Sequence, residues 1–309
     1  VVEKRGTAAV IYESMAGQWI KRAGDARTLT HEFRDGYGVV VNARVDSPRQ
    51  GFSAFWARVP ERWGSADGLA RFIYNRRGAH DGKDPLIHER DVPLLMMDEA
   101  EANANGYKSY AGKTLQERIA MSPRIRKWRK SGLPAPRTLD SGRVKSAIAT
   151  DRYFVVNPTS SRREKAWPPA KFHELLIEIS RRDLLPGVKP IVVGAPHETD
   201  WLREVASEQF QIVQPNSIGE LFNVVSGAQF LLTNTSSVQF IAASVGTETL
   251  TLMGRARPEI WGPLGPSDRY LVGREPTDVE SIFEREFKAY ESIEVESVLE
   301  TLRSMVIGG

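Results

Sequence analysis

Asn157-Pro-Thr-Ser-Ser-Arg-Arg-Glu-Lys-Ala-Trp-Pro168 follows the apolar run Tyr153-Phe-Val-Val156 and precedes a helix-like segment that opens near Pro169. A strand, a small hydroxyl-rich loop and a helix start, in that order, is where α/β proteins hold phosphate. Free backbone N–H groups and the helix dipole both favour an anion there. Ser160 and Ser161 supply hydroxyl donors and Lys165 a mobile positive charge. Arg162 and Arg163 flank them and are expected to be mostly solvated. Taken alone, the stretch fits a surface turn before a capped helix equally well.

The rest of the C-terminal half repeats the pattern. Pro190-Ile-Val-Val-Gly-Ala-Pro-His-Glu198 reads as a second buried strand ending in a tight turn. Ala228-Gln-Phe-Leu-Leu-Thr-Asn-Thr-Ser-Ser-Val-Gln239 reads as a third strand running into a helix start. Ser244-Val-Gly246, the apolar run Leu250-Thr-Leu-Met253 and Gly254-Arg-Ala-Arg-Pro-Glu-Ile-Trp-Gly-Pro263 follow. Taken in order, these motifs resemble the nucleotide-sugar half of glycosyltransferase family 9, the ADP-heptose:lipopolysaccharide heptosyltransferases. The resemblance is closest over roughly residues 154–264 and extends weakly to the end.

Length and composition agree with two domains. The 309 residues fit two domains, and 41% hydrophobic content is ample for packed cores. No run approaches the ~18–20 uninterrupted apolar residues of a membrane span. Val1-Val-Glu-Lys-Arg-Gly6 has no apolar segment after its basic residues, so no signal peptide is expected. The chain opens on Val rather than Met, so its first residue is not expected to be the gene's first. With no cysteine there are no disulfides, zinc–thiolate sites or thiol chemistry, which fits a reducing compartment. Carboxylates and histidines do not cluster at metal-ligand spacing, so no metal or other cofactor is expected.

The net charge of +3 hides an asymmetry. Residues 1–150 carry 26 Lys/Arg against 17 Asp/Glu, and residues 151–309 carry 16 against 22. A basic half can face nucleic acid, an anionic membrane surface or an acidic acceptor. No nucleic-acid module or aromatic platform accompanies the basic runs, so a phosphorylated lipid acceptor fits better than nucleic acid, and charge by itself discriminates weakly.

In the N-terminal half, Ala8-Ala-Val-Ile-Tyr12 and Tyr37-Gly-Val-Val-Val41 are short apolar runs of the kind buried in a parallel sheet. Residues 52–57 and 69–74 are mixed. Residues 84–97 read as a helix despite their prolines. Residues 99–150 are polar and basic, broken at 131–136, and the linker is expected at 137–150. Near the C-terminus, Phe283, Phe287, Val295, Val298, Leu299, Leu302 and Met305 recur at roughly helical spacing, as one amphipathic helix with a packing face.

The resemblance implies a GT-B fold, α/β with two Rossmann-like domains facing across a cleft. Residues 1–145 would bind acceptor and 146–309 the nucleotide sugar, with the last helix crossing back onto the first domain. It implies an inverting transfer of a heptose or related sugar from an ADP-sugar donor to an anionic glycan or glycolipid. The place would be the cytoplasm, at the inner face of the bacterial inner membrane. Ser160, Ser161 and Lys165, with Thr235 and Ser236 at the later helix start, would meet the donor phosphates. Glu198 would accept from the ribose hydroxyls, and Met253 would line the nucleoside pocket, although plain core packing explains Met253 as well. His197 is expected to be structural or exposed. Arg44, Arg49, Arg58 and Arg62 lie on the expected acceptor side, where a solvated basic surface fits as well.

Two departures stand out. Family members carry Asp-Thr-Gly followed by a His; at the differing positions this chain has Asn234, Ser236 and Gln239, keeping Thr235. Asn234 and Gln239 would face the donor sugar without a carboxylate or an imidazole, so either the donor sugar differs or turnover is impaired. The family's first strand also leads into a Gly-Asp loop that holds the catalytic base, and no such loop lies between Gly6 and Thr7. Either the sequence omits a segment, or a deletion has cost the protein catalysis, or another carboxylate such as Glu13 or Asp46 serves. Beside the transferase reading stand a non-catalytic nucleotide-sugar binder, a transferase with another nucleotide-hexose donor, and an epimerase that needs no acceptor. An intact mass of the natural protein above 34.5 kDa would indicate omission, and a mass equal to it would leave no family-type base.

Overall fold

The structure is a computed structural model. It describes residues 9–11, 20–22, 39–41, 49–65, 70–78, 91–105, 110, 113–131, 148, 150, 152–216, 218–265, 267–277, 279 and 281–307. The chain divides into two compact units, Val1–Ser131 and Gly132–Gly309. The linker expected at 137–150 and the boundary at 145/146 fall almost wholly outside the described residues.

In the first unit, β3 (Val39–Val41), β4 (Glu61–Ser65) and β5 (Arg76–Gly78) form a parallel sheet in that order. Helices α1 (Arg49–Trp56) and α2 (Ala70–Ile73) make the crossovers. The run at Val39–Val41 is thus in a parallel sheet, as its apolar character implies. The earlier run is not: β1 (Ala9–Ile11) pairs antiparallel with β2 (Ile20–Arg22). Only residues 12–19 separate these strands, too few for the crossover of a dozen or more residues that a parallel pair needs.

β4 and β5 carry the charged sequences Glu-Arg-Trp-Gly-Ser and Arg-Arg-Gly, and hydrogen bonds rather than apolar patterning place them. Asn75 accepts from the Arg62 amide at 2.8 Å and donates to the Pro60 carbonyl at 2.7 Å, splinting β4 to the turn before β5. Gly64 is required where the Tyr74 ring lies on the backbone, since a Cβ there would come within 2.4 Å of it. The helix expected at 84–97 is observed as α3 (Asp91–Ala104), with Pro93 in the first turn, where a missing N–H is harmless; residues 84–90 lie outside the described part. Two helices follow in the polar stretch, α4 (Leu115–Met121), opened by a Thr114/Glu117 capping box, and α5 (Pro123–Ser131).

The second unit is a six-stranded, all-parallel sheet of β6 (Tyr153–Asn157), β7 (Lys189–Val193), β8 (Gln211–Val213), β9 (Phe230–Asn234), β10 (Glu248–Met253) and β11 (Arg269–Val272). Their spatial order is β11-β10-β9-β6-β7-β8. Numbered within this unit, that is the Rossmann order 3-2-1-4-5-6, whose direction reverses between β6 and β9. β6 shows why its sequence is continuously apolar. Phe154 and Val156 face one buried layer, Tyr153 and Val155 the other. The first layer is closed by α6 (Pro169–Arg181), α7 (Thr199–Ala206), α11 (Ile282–Glu291) and α12 (Val295–Ile307); the second by α8 (Ile218–Ser226) and α9 (Ser237–Val245), and the short α10 (Pro258–Trp261) follows β10.

The C-terminal segment expected as one helix is two, α11 and α12, broken at 292–294. Phe283 lies exposed on α11. Val295, Val298, Leu299 and Leu302 of α12 are buried in the first layer, where α12 packs on α6 within its own unit. Among the described residues no helix is long and apolar enough to cross a membrane. Leu299→Ala should lower unfolding free energy by about 2–5 kcal/mol, measured by denaturant titration, because it empties a buried leucine site between α6 and α12.

Candidate functional site

The loops after β6, β7, β9 and β10 emerge at one edge of the parallel sheet, its carboxyl edge, where open α/β sheets bind ligands. The β6 and β9 loops flank the point where strand order reverses.

Two buried asparagines build this edge. Asn157 ends β6, and its Nδ2 donates to the Val193 carbonyl at 2.9 Å and to Thr159 Oγ1 at 3.2 Å. Its Oδ1 accepts from the Thr233 hydroxyl at 3.2 Å and from Ser236 Oγ at 3.4 Å. Asn234 ends β9 with no exposed surface. Its Oδ1 accepts from the Trp167 amide at 2.9 Å and its Nδ2 donates to the Pro158 carbonyl at 2.7 Å. One side chain thereby grips both ends of the β6–α6 loop. Trp167, fully buried, donates from Nε1 to the Ile293 carbonyl at 2.9 Å, and Lys171 Nζ donates to the Glu291 and Ile293 carbonyls at 2.7 and 3.0 Å. A cation on the last carbonyls of α11 is favourably placed against the helix dipole.

Between those fixed ends, Ser160 is half-buried while Ser161 and Lys165 are exposed. Among the described residues, neither serine hydroxyl nor the Lys165 ammonium has a partner. The neighbouring arginines differ. Arg163 forms a paired bond with Glu204 at 2.8 and 2.6 Å and lies over the Trp201 ring. Glu204 and Arg163 hold each other's charge, lowering the carboxyl pKa and raising that of the guanidinium. Arg162 stacks over Phe283 at 4.6 Å, with Glu164 at 3.7 Å. The loop's uncommitted positive charge is therefore Lys165.

Glu198 sits at the end of the short turn after β7, half-buried. Its Oε2 accepts from the Ala195 amide at 2.7 Å and from Thr159 Oγ1 at 3.0 Å. Its Oε1 has no partner among the described residues. His197 beside it is exposed.

The remaining expected contacts resolve differently. Asn234, expected at the donor sugar, is fully buried with both ends of its amide bonded to the β6–α6 loop. Gln239 is also fully buried, its Nε2 donating to the Trp261 carbonyl at 2.7 Å while Oε1 has no partner among the described residues. Thr235 does not offer a free N–H, because its amide donates to the Leu252 carbonyl at 3.0 Å. Ser236 caps α9, its hydroxyl accepting from the Val238 amide at 3.3 Å. Met253 is buried in the sheet rather than open to a pocket.

In the first unit Arg62 is committed, donating from its guanidinium to the Ile73 and Val59 carbonyls at 2.8 and 2.5 Å. Arg58 is exposed with a positive φ of 60°. Arg49 opens α1. Arg44, Glu13 and Asp46 lie outside the described residues. Among the described residues no three His, Asp or Glu side chains could share a metal ion.

The sequence reading missed Asn157, Thr159, Trp167 and Lys171. The available signal was a polar residue closing a wholly apolar strand, which must spend its buried amide somewhere. Asn234→Asp should cost about 1–3 kcal/mol of stability, since a carboxylate cannot donate to the Pro158 carbonyl. Denaturant titration checks this, and an unchanged midpoint would mean that the loop is held by other means.

A sequence profile of glycosyltransferase family 9 (heptosyltransferase) matches residues 56–288. Lipopolysaccharide heptosyltransferase 1 of Salmonella typhimurium (strain LT2) is 26% identical over 118 residues, covering 38% of this chain and 36% of that protein. The chain thus matches about a third of that relative's length. Among solved structures, E. coli ADP-heptose lps heptosyltransferase II superposes with a TM-score of 0.63 at 16% identity, covering 92% of this chain and 81% of that one. A family 9 glycosyl transferase from Veillonella parvula DSM 2008 gives 0.62 at 17% identity, covering 92% and 79%. E. coli heptosyltransferase WaaC with ADP gives 0.57 at 17%, covering 90% and 78%. These likenesses show a shared α/β fold of the GT-B class. With its profile match running from the end of α1 into α11, the chain belongs to glycosyltransferase family 9.

Proposed function

We propose that this protein is an inverting glycosyltransferase that moves a heptose or related sugar from an ADP-linked donor to an anionic, lipopolysaccharide-core-type acceptor. The supporting observation is the open set of Ser160, Ser161 and Lys165 on a clamped loop at the switch point of the sheet, joined through Thr159 to Glu198. A family neighbour solved with ADP, and again with ADP-2-deoxy-2-fluoro heptose, favours this donor class.

In this reading the acceptor hydroxyl oxygen attacks the anomeric carbon. The bond from that carbon to the diphosphate oxygen breaks, with inversion. Negative charge grows on the departing diphosphate, where the Lys165 ammonium and the two hydroxyls meet it. Glu198 accepts from the ribose hydroxyls through its open oxygen. The base that takes the acceptor's proton is unassigned. The basic surplus of residues 1–150 suits an anionic acceptor. A lipid-linked acceptor would bring the protein to the inner face of the bacterial inner membrane as a peripheral partner.

The absence of a Gly-Asp loop between Gly6 and Thr7 favours a second reading, a donor binder without turnover. Release of ADP only when acceptor is present would exclude it, and would exclude an epimerase too. Transfer that persists in EDTA would show that the cationic loop suffices without a divalent metal.

Calorimetry should show ADP-heptose binding more tightly than ADP, and far more tightly than UDP or GDP. No binding by the adenine ligands would sink the donor assignment. Lys165→Ala should weaken ADP by on the order of 1–3 kcal/mol, and unchanged affinity would remove Lys165 from the phosphates. Glu198→Gln should weaken ADP but not pyrophosphate, and equal loss for both would take Glu198 off the ribose.

A further inference from the structure

We propose that Thr159 is a positioning residue that sets the Glu198 carboxylate for the nucleoside and makes the phosphate loop and the nucleoside contact one unit. This inference rests on the donor-site reading above.

The argument begins with protons. Thr159 is buried and its hydroxyl has a single proton to give. Asn157 Nδ2 already donates into that oxygen at 3.2 Å, so the Thr159 proton is directed outward, onto Glu198 Oε2 at 3.0 Å. Asn157 is itself held in place by the Val193 carbonyl and by the Thr233 and Ser236 hydroxyls. A relay therefore runs from β9 through the end of β6 to the loop after β7. It fixes the orientation of the Asn157 amide and of the Thr159 hydroxyl.

A half-exposed glutamate has three side-chain torsions to order before it can accept from a ligand. Two donors converge on Oε2: the Ala195 amide at 2.7 Å, from the loop after β7, and Thr159 Oγ1, from the loop after β6. They pin one oxygen and leave Oε1 without a partner among the described residues. Gly194 provides the room. A Cβ there would stand 3.0 Å from Glu198 Oε2 and 2.7 Å from Leu202 Cδ2. The carboxylate's position is thereby tied to the loop that carries Ser160, Ser161 and Lys165, and not only to its own turn.

The test is calorimetry of the full chain with ADP and with pyrophosphate, for wild type, Thr159→Val, Thr159→Ser, Glu198→Gln and the Thr159→Val/Glu198→Gln double variant. Thr159→Val should weaken ADP about five- to tenfold, the size of one ordinary hydrogen bond, while pyrophosphate changes less than about twofold. Thr159→Ser, which keeps the hydroxyl, should restore ADP binding to within about twofold of wild type. In the Glu198→Gln background Thr159→Val should cost less than about twofold, because the amide group that then faces the ribose can no longer accept, and positioning it gains nothing.

Equal weakening of both ligands would make Thr159 a loop-folding residue and overturn the proposal, and so would independent, additive losses in the double variant. If Thr159→Val does not fold, Gly194→Ala perturbs the same oxygen from the other side. It should weaken ADP and spare pyrophosphate, and loss of both would count against the proposal. Wild-type protein that binds neither ligand would bring down the donor-site reading itself, and this inference with it.

Discussion

An amide side chain both donates and accepts in one fixed plane, and the functional edge of this protein depends on two of them. Asn234 holds the first and last residues of the β6–α6 loop against the end of β9. Asn157 joins the ends of β6 and β7 to the hydroxyls around the start of α9. Both are buried, where an unmade hydrogen bond is expensive. Their bonds therefore fix where the loop starts and stops, and the open donors between those points inherit their position from the sheet. A loop carrying Ser160, Ser161 and Lys165 without such anchorage would have to be ordered by its ligand, at a cost in affinity.

Charge follows the same economy. Of three adjacent cations, Arg163 is committed to Glu204, Arg162 rests on an aromatic ring, and Lys165 has no partner among the described residues. A planar guanidinium suits a paired carboxylate and an aromatic face. The compact ammonium, on a flexible stem, is the one that the proposed donor reading assigns to an anion.

Much of the second unit was legible in the sequence. Tyr153–Asn157, Pro190–Val193 and Phe230–Asn234 are continuous apolar runs because both of their faces are buried, and each is followed by turn chemistry that marks its end. What could not be read was where polar side chains at strand ends point. Asn234 looked like a contact for a sugar because it replaces a carboxylate at a ligand-binding edge. Its engagement by Pro158 and Trp167 depends on residues about seventy positions away. The single C-terminal helix failed for a similar reason: the apolar period continues across 292–294 while the backbone turns. The first unit was less legible, because β4 and β5 are charged strands placed by Asn75, Arg62 and Tyr74 rather than by pattern.

Trp167 and Lys171 close the β6–α6 loop onto carbonyls at 291 and 293, more than a hundred residues further along the chain. That distance has a consequence for biosynthesis. During translation the loop, the sheet edge and Lys165 all leave the ribosome well before Ile293 does. The hydrophobic parts of the early βα unit can collapse, but the loop's outer end stays unlatched until α11 has emerged and turned back. A nascent chain stalled before that point would carry every ligand-facing residue of the loop and still lack the latch that holds its outer end.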